Sequence, residues 1–102
     1  DIATSHREII LNILKKYVRD YEVRVFGSRV NGLAKKYSDI DLAIVGKEIL
    51  SKKTIYLLKE EFEESDLPFR VDIVDWRTAS DSFKKIIESR YEVIQAGRQE
   101  GR

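Results

Sequence analysis

Two aspartates, Asp39 and Asp41, stand at the start of a run of β-forming residues. Side chains alternate along a strand, so both carboxylates would lie on one face, about 7 Å apart, with Ile40 and Leu42 on the opposite face. Two like charges on one strand face repel each other, and a divalent cation between them removes that conflict. A solvated face of an amphipathic strand explains the same alternation without a metal, and both interpretations remain open.

A third carboxylate, Asp72, lies in the segment 70–74 and is flanked by β-branched residues. A charged side chain in the middle of a strand requires a cation, a polar partner or water. Strand alternation separates Asp72 from its apolar neighbours, and we expect it to share a face with the first two aspartates as a third metal ligand. An ion pair with a nearby Lys or Arg is the alternative. Asp75 has the opposite parity, and we expect it to be a strand-end or turn carboxylate.

The dipeptide Gly27-Ser28 follows a predicted strand and precedes a predicted helical turn. Glycine lets backbone amides approach an anion closely, and the first N–H groups of a helix are unpaired donors for phosphate. The Ser28 hydroxyl and the Arg29 guanidinium would add a donor and a charge. Gly-Ser is also an ordinary turn dipeptide. Ten residues separate Ser28 from Asp39, so one loop would bring a phosphate-binding turn beside the paired carboxylates, as nucleoside triphosphate chemistry requires.

Helices alternate with strands along the chain, which indicates an α/β (α+β) fold. We predict a single domain, 1–102, with a small mixed three-stranded sheet flanked by helices. Ser5 and Glu8 are typical of a capping box at the start of the first helix. The predicted elements are a helix at 5–20, a strand at 22–26, a helical turn at 29–33, a strand at 39–45, a helix at 51–65, a strand at 69–76, a last helix that includes Tyr91 and Ile94, and a frayed tail at 96–102.

Other conspicuous side chains receive structural interpretations. Trp76 and Phe69 are expected in the core rather than as a platform for a nucleotide base, and His6 is expected on the surface. Lys35 and Lys36 are expected to be solvated loop charges.

Charge and composition exclude several function classes. The 19 Lys and Arg residues nearly balance 18 Asp and Glu residues, which argues against direct binding of duplex DNA. The absence of cysteine and the single histidine exclude thiolate and histidine-cluster metal sites, so a metal would be a hard cation held by carboxylates. No apolar run is long enough to cross a bilayer, and we expect a cytoplasmic protein without membrane contact.

The segment 26–42, FGSRVNGLAKKYSDIDL, resembles the signature of the DNA polymerase β nucleotidyltransferase superfamily. Within that superfamily, the short chain resembles the minimal nucleotidyltransferases (MNT), which pair with HEPN-domain proteins and often serve as the antitoxin of a toxin–antitoxin module. The resemblance implies that a nucleoside monophosphate, AMP from ATP, is moved to a hydroxyl of the HEPN partner, a tyrosine in the antitoxin members. It leaves both homo- and hetero-oligomers open.

The resemblance also assigns roles to individual residues. It implies that Asp39, Asp41 and Asp72 are catalytic residues and ligands of two Mg²⁺ ions, and that Gly27, Ser28 and Arg29 bind the nucleotide. The sequence departs from many relatives at Asn31, where they carry a second arginine, so weaker triphosphate binding is expected. The competing hypothesis is a non-catalytic nucleotide-binding module that neutralises its partner by occlusion. Small-molecule resistance nucleotidyltransferases share the motif but usually carry a second domain.

Overall fold

The computed structural model describes residues 2–27 and 39–97, which form three α-helices and four β-strands. In chain order the elements are α1 (Thr4–Tyr17), β1 (Glu22–Phe26), β2 (Ile40–Val45), α2 (Lys52–Glu64), β3 (Val71–Asp75), a 3₁₀ turn (Trp76–Thr78), α3 (Asp81–Ser89) and β4 (Tyr91–Gln95). The predicted helical turn at 29–33 lies outside the described residues. None of the helices in this part of the chain has the length and apolar character needed to span a membrane.

The four strands form one mixed sheet in the order β3-β2-β1-β4. β1 is antiparallel to both β2 and β4, whereas β2 and β3 are parallel and joined by α2. Because β2 and β3 run in the same direction, their first residues lie side by side at one end of the sheet. The last residue of β1, Phe26, lies opposite Asp41 at that same end.

The sheet separates two hydrophobic clusters. The main core lies on the face covered by α1 and α2, where Leu14 and Leu58 are fully buried against the strands. The inward-facing strand residues of this core are Val23, Val25, Ile40, Leu42, Ile44, Val71 and Ile94. A smaller cluster on the opposite face joins Ile87 of α3 to Phe26 and Ala43. The buried strand residues that face α1 and α2 are apolar except for Asp75 at the end of β3, and the charged residues of β1 and β2 lie on the α3 face.

The fourth strand corrects the predicted three-stranded sheet. Helix α3 ends at Ser89, and Tyr91–Gln95 form β4 along the free edge of β1, so the placement of Tyr91 and Ile94 in a helix is wrong. Pairing with β1 satisfies the backbone hydrogen-bonding groups of this segment that face β1, and it buries Ile94 in the main core. After β4 the chain stays close to the start of β1, since a Cβ at Gly97 would lie 2.8 Å from the Glu22 nitrogen. The frayed tail at 96–102 stays a prediction, and 98–102 lie outside the described residues.

The first helix also begins differently from its prediction. Its N-cap is Ala3, without a side-chain cap hydrogen bond, so the capping box of Ser5 and Glu8 does not form. Since the helix starts at Thr4, Ser5 already lies inside the first turn, where its hydroxyl is not at the capping position. The helix ends at Tyr17, three residues before the predicted end.

Candidate active site

Strand pairing brings the three predicted carboxylates to one end of the sheet. In the parallel ladder Asp41 of β2 lies directly opposite Asp72 of β3, and Asp39 immediately precedes β2. The amide of Ile40 donates to the carbonyl of Arg70 at 2.9 Å, which extends the ladder by one residue beyond β3. We call Asp39, Asp41 and Asp72 the carboxylate cluster.

The orientation of the carboxylate cluster follows from burial of the other face. Ile40, Leu42 and Ile44 are fully buried in the main core, so the intervening Asp41 points to the α3 face. Val71 is buried on the core face of β3, which leaves Asp72 on the side of Asp41. The shared face predicted from strand alternation is therefore observed.

Electrostatics within the cluster disfavour the ionised form of its central member. Partial burial raises the pKa of the Asp41 carboxyl, and the negative charges of Asp72 and Asp39 raise it further. The positive charge of Arg70 opposes this shift and is the weakest contribution. A cation nearby would therefore favour the ionised form of Asp41.

Arg70 supplies such a charge from within the chain. Its Nη2 lies 3.4 Å from Oδ2 of Asp39, and its Nε lies 3.4 Å from Oδ1 of Asp72. The ion pair that the sequence offered as an alternative for Asp72 is thus present. Sequence reasoning did not single out Arg70, although its position two residues before Asp72 on a predicted strand places both side chains on one face.

The donor set of the cluster fits a hard divalent cation. Three carboxylates on one face offer the oxygen ligands that Mg²⁺ binds, and the like charges of Asp72 and Asp39 beside Asp41 would be relieved by a cation. Within residues 2–27 and 39–97, however, no three acidic or histidine side chains converge closely enough to hold a metal ion. Asp39 and Asp72 are directed at the Arg70 guanidinium instead.

Gly27 brings the turn after β1 against this cluster. Its φ of +87° is in the left-handed region that glycine adopts without strain. A Cβ at this position would collide with the Asp41 carboxylate, so a side chain here is disfavoured by both conformation and space. The backbone of the predicted phosphate-binding turn therefore starts beside a predicted metal ligand. Ser28, Arg29 and the loop residues Asn31, Lys35 and Lys36 lie outside the described residues.

Asp75 has the structural role expected of a turn carboxylate. It is buried, and its Oδ2 accepts from the Leu50 amide at 3.0 Å while its Oδ1 accepts from the Arg77 amide at 3.0 Å. These bonds tie the end of β3 to the segment before α2 and cap the 3₁₀ turn. Asp75 therefore holds the fold together at the opposite end of β3 from the cluster.

The aromatic side chains are structural, with one difference from prediction. Trp76 packs against the smaller cluster and Phe69 against the main core, as expected. The Arg24 guanidinium lies over the rings of Trp76 and Tyr91, 5.1 Å and 4.3 Å from their centroids. His6 is half-buried edge-on to Phe69, 5.4 Å between ring centroids, and is not the plain surface residue that was predicted.

Comparison with known proteins gives a consistent family. A model of the family described as "Nucleotidyltransferase domain" matches residues 7–97. The chain is 53% identical over 95 residues to "Probable protein adenylyltransferase MntA" of Haemophilus influenzae, which covers 93% of this chain and 83% of that relative.

Two solved structures share the fold. A toxin–antitoxin crystallised with AMP-PNP superposes with a TM-score of 0.74 at 24% identity and covers 91% of this chain and 75% of that chain. A tri-AMPylated Shewanella oneidensis HEPN toxin in complex with its MNT antitoxin gives a TM-score of 0.68 at 22% identity, covering 90% and 71%. The match to the family model over most of the sequence and the identity to the Haemophilus relative show that the chain belongs to the nucleotidyltransferase domain family.

Proposed function

We propose that this chain transfers AMP from ATP to a hydroxyl of a HEPN-type partner protein and thereby acts as an antitoxin. The observation that carries the proposal is the register that sets Asp41 opposite Asp72 on one face, with Gly27 against Asp41. The names of the relatives support the group and the acceptor, since one is a protein adenylyltransferase and another is bound to an AMPylated HEPN toxin.

The carboxylate cluster would hold Mg²⁺, as two ions, in this proposal. The chemistry that bound Mg²⁺ supplies is neutralisation of the triphosphate and a lower pKa of the attacking hydroxyl. The identity of the metal and the number of ions are part of the proposal, which rests on the oxygen-only donor set of Asp39, Asp41 and Asp72.

The chain's own residues would perform the remaining steps. Backbone amides from Gly27 onward, with Ser28 and Arg29, would bind the β- and γ-phosphates and orient the α-phosphate. The acceptor oxygen would form a bond to the α-phosphorus while the bond from that phosphorus to the α–β bridging oxygen breaks and pyrophosphate leaves. The proton of the acceptor hydroxyl would pass to the Asp72 carboxylate, which lies on the α3 face and is partly exposed.

We further propose that the chain works as a single domain in the cytoplasm. A HEPN-type helical protein would present the acceptor in this proposal, as the AMPylated HEPN toxin bound to an MNT antitoxin suggests. ATP and Mg²⁺ are both plentiful in that compartment.

Transfer of a labelled nucleotide tests the proposal directly. The full chain is incubated with Mg²⁺, ATP labelled at the α-phosphate and a candidate HEPN partner protein. Label should appear on the HEPN protein, and Asp72→Asn should prevent it while the complex still forms. Label that stays in ATP despite a stable complex would contradict enzymatic transfer.

The ion pairs of Arg70 favour a second candidate, a module that neutralises its partner by occlusion and only binds nucleotide. In the described part of the chain, Arg70 engages two of the three carboxylates. Under this hypothesis the Asp72→Asn variant would protect cells from the toxin as well as the parent does. Loss of protection by this variant would favour the transferase.

A further inference from the structure

Arg70 lies beside the carboxylate cluster and contacts two of its members. The register that pairs Ile40 with Val71 and Asp41 with Asp72 places Arg70 across from Asp39. Arg70 and Asp72 are two residues apart on one strand line, so their side chains share a face. Arg70 and the three aspartates of the cluster therefore lie side by side at the start of β2 and β3.

The main chain of Arg70 is hydrogen-bonded to β2, whereas its side chain is exposed. Its carbonyl accepts the Ile40 amide at 2.9 Å, which anchors the residue to the start of β2. Its side chain is 73% exposed and makes its two ion pairs at 3.4 Å, the geometry of weak surface pairs. The guanidinium can therefore leave both carboxylates without disturbing the sheet.

We propose that Arg70 is a built-in counter-cation of the carboxylate cluster and competes with the divalent cation for Asp39 and Asp72. The inference rests on the proposed function, because it concerns the metal site of that reaction. Arg70 neutralises two of the three acids through separate nitrogen atoms, and in doing so it turns Asp39 and Asp72 toward itself. Binding of the divalent cation exchanges one positive partner for another and releases the Arg70 side chain into solvent.

Two observations favour competition over cooperation between Arg70 and the metal. Both of its carboxylate partners are predicted metal ligands, so the guanidinium and the metal require the same oxygens. In addition, the acids among residues 2–27 and 39–97 do not converge on a metal position, and two of the three in the cluster are paired with Arg70. Arg70 is therefore a positioning residue that sets the affinity of the site for cations.

Titration with Mn²⁺, followed through the spin-resonance signal of the free ion, tests the competition without nucleotide or activity. The full chain is compared with Arg70→Gln and with the control Lys59→Gln, which removes the same charge from an exposed position of α2. Arg70→Gln should bind Mn²⁺ about two- to tenfold more tightly than the parent, the range set by two exposed ion pairs. Lys59→Gln should stay close to the parent, and Arg70→Lys should lie between them.

The outcomes separate this inference from the function on which it rests. If the parent binds Mn²⁺ and Arg70→Gln matches Lys59→Gln or binds more weakly, the competition is refuted and the metal-dependent transferase stands. If the parent and every variant fail to bind Mn²⁺, the proposed metal-dependent function fails and the inference fails with it. Melting in chelator adds a second readout, because Arg70→Gln should lose more stability than Lys59→Gln at low salt and not at high salt.

Discussion

Asp72 and Asp75 lie three residues apart on β3 and have opposite surroundings. Asp75 is 7% exposed and accepts hydrogen bonds from two backbone amides. Asp72 has a side chain that is 45% exposed, faces Asp41 across the ladder and is paired with an exposed guanidinium. A carboxylate that receives fixed N–H donors stabilises a fold, whereas one that faces other charges at the open end of a sheet is available for chemistry.

The difference follows from the parity of the strand. Residues an odd number of positions apart point to opposite faces, so only one of the two aspartates can join Asp41. The other reaches the loop before α2 and the 3₁₀ turn, where backbone donors are present.

The sharpest test of this comparison is exchange of each carboxylate for its amide. Asp72→Asn should lower the rate of AMP transfer by about 10²–10⁴-fold. The amide can neither take up the proton of the attacking hydroxyl nor supply the negative charge of a metal ligand. Asp75→Asn should reduce transfer far less. Initial rates of label incorporation into the HEPN partner measure both. The reverse ranking would mean that the two carboxylates have exchanged roles.

Removal of the structural carboxylate should appear in stability instead. Asp75→Ala leaves the Leu50 amide without its buried acceptor and should lower the free energy of unfolding by about 1–3 kcal/mol. Urea denaturation measures the change, with Asp66→Ala at an exposed position as the control. An unchanged midpoint for Asp75→Ala would show that water replaces the carboxylate at no cost.

The contact of Gly27 with the cluster can be separated from its backbone strain by a double-mutant cycle. Gly27→Ala should destabilise the chain by roughly 1–2 kcal/mol, because the left-handed conformation is unfavourable for a side chain and the Cβ meets the Asp41 carboxylate. In an Asp41→Ala background the collision is removed and only the conformational cost remains. Equal costs in both backgrounds, measured by chemical denaturation, would argue against the close approach.

The smallest expected effect concerns the pH dependence of stability. The pKa of Asp41 is raised by burial and by its acidic neighbours, so in chelator its contribution is present at acidic pH and is lost as the pH rises through that raised value. Asp41→Asn should therefore melt higher than the parent at neutral pH, by about 2–4 °C for a change near 0.5 kcal/mol. Between about pH 4 and about pH 8, the melting temperature of the variant should change less with pH than that of the parent. A parent that gains stability toward neutral pH, relative to the variant, would contradict the sign.

The sequence predicted the parts of the fold whose patterns are local. Three strands and the two long helices were placed to within a few residues, because alternation and helical spacing report which side is buried. Asp39, Asp41 and Asp72 were brought to one face by the same rule. Their role in binding metal stays a prediction, and so do the roles of Ser28 and Arg29.

The errors arose where tertiary contacts override the local pattern. Ile86 and Ile87 are followed by Tyr91 and Ile94 at helical spacing, yet Ile86 is 59% exposed and the chain leaves the helix at Ser89 to pair with β1. The edge strand β4 pairs with β1, which lies about seventy residues earlier in the chain. A short window of sequence does not contain both segments. Arg70 was overlooked because its partner Asp39 is likewise brought to it only by the parallel ladder.

The parallel pairing of β2 with β3 makes the geometry of the carboxylates tolerant of changes in chain length. The distance between Asp41 and Asp72 is set by main-chain hydrogen bonds and not by the crossover that joins the strands. Residues added to the turn at 65–68 would lengthen that crossover at a small entropic cost and leave the two acids in register. One residue added within Ile40–Val45 would instead move each side chain beyond it to the other face. A protein engineer could therefore graft a peptide into this turn and keep the three carboxylates together at the start of β2 and β3.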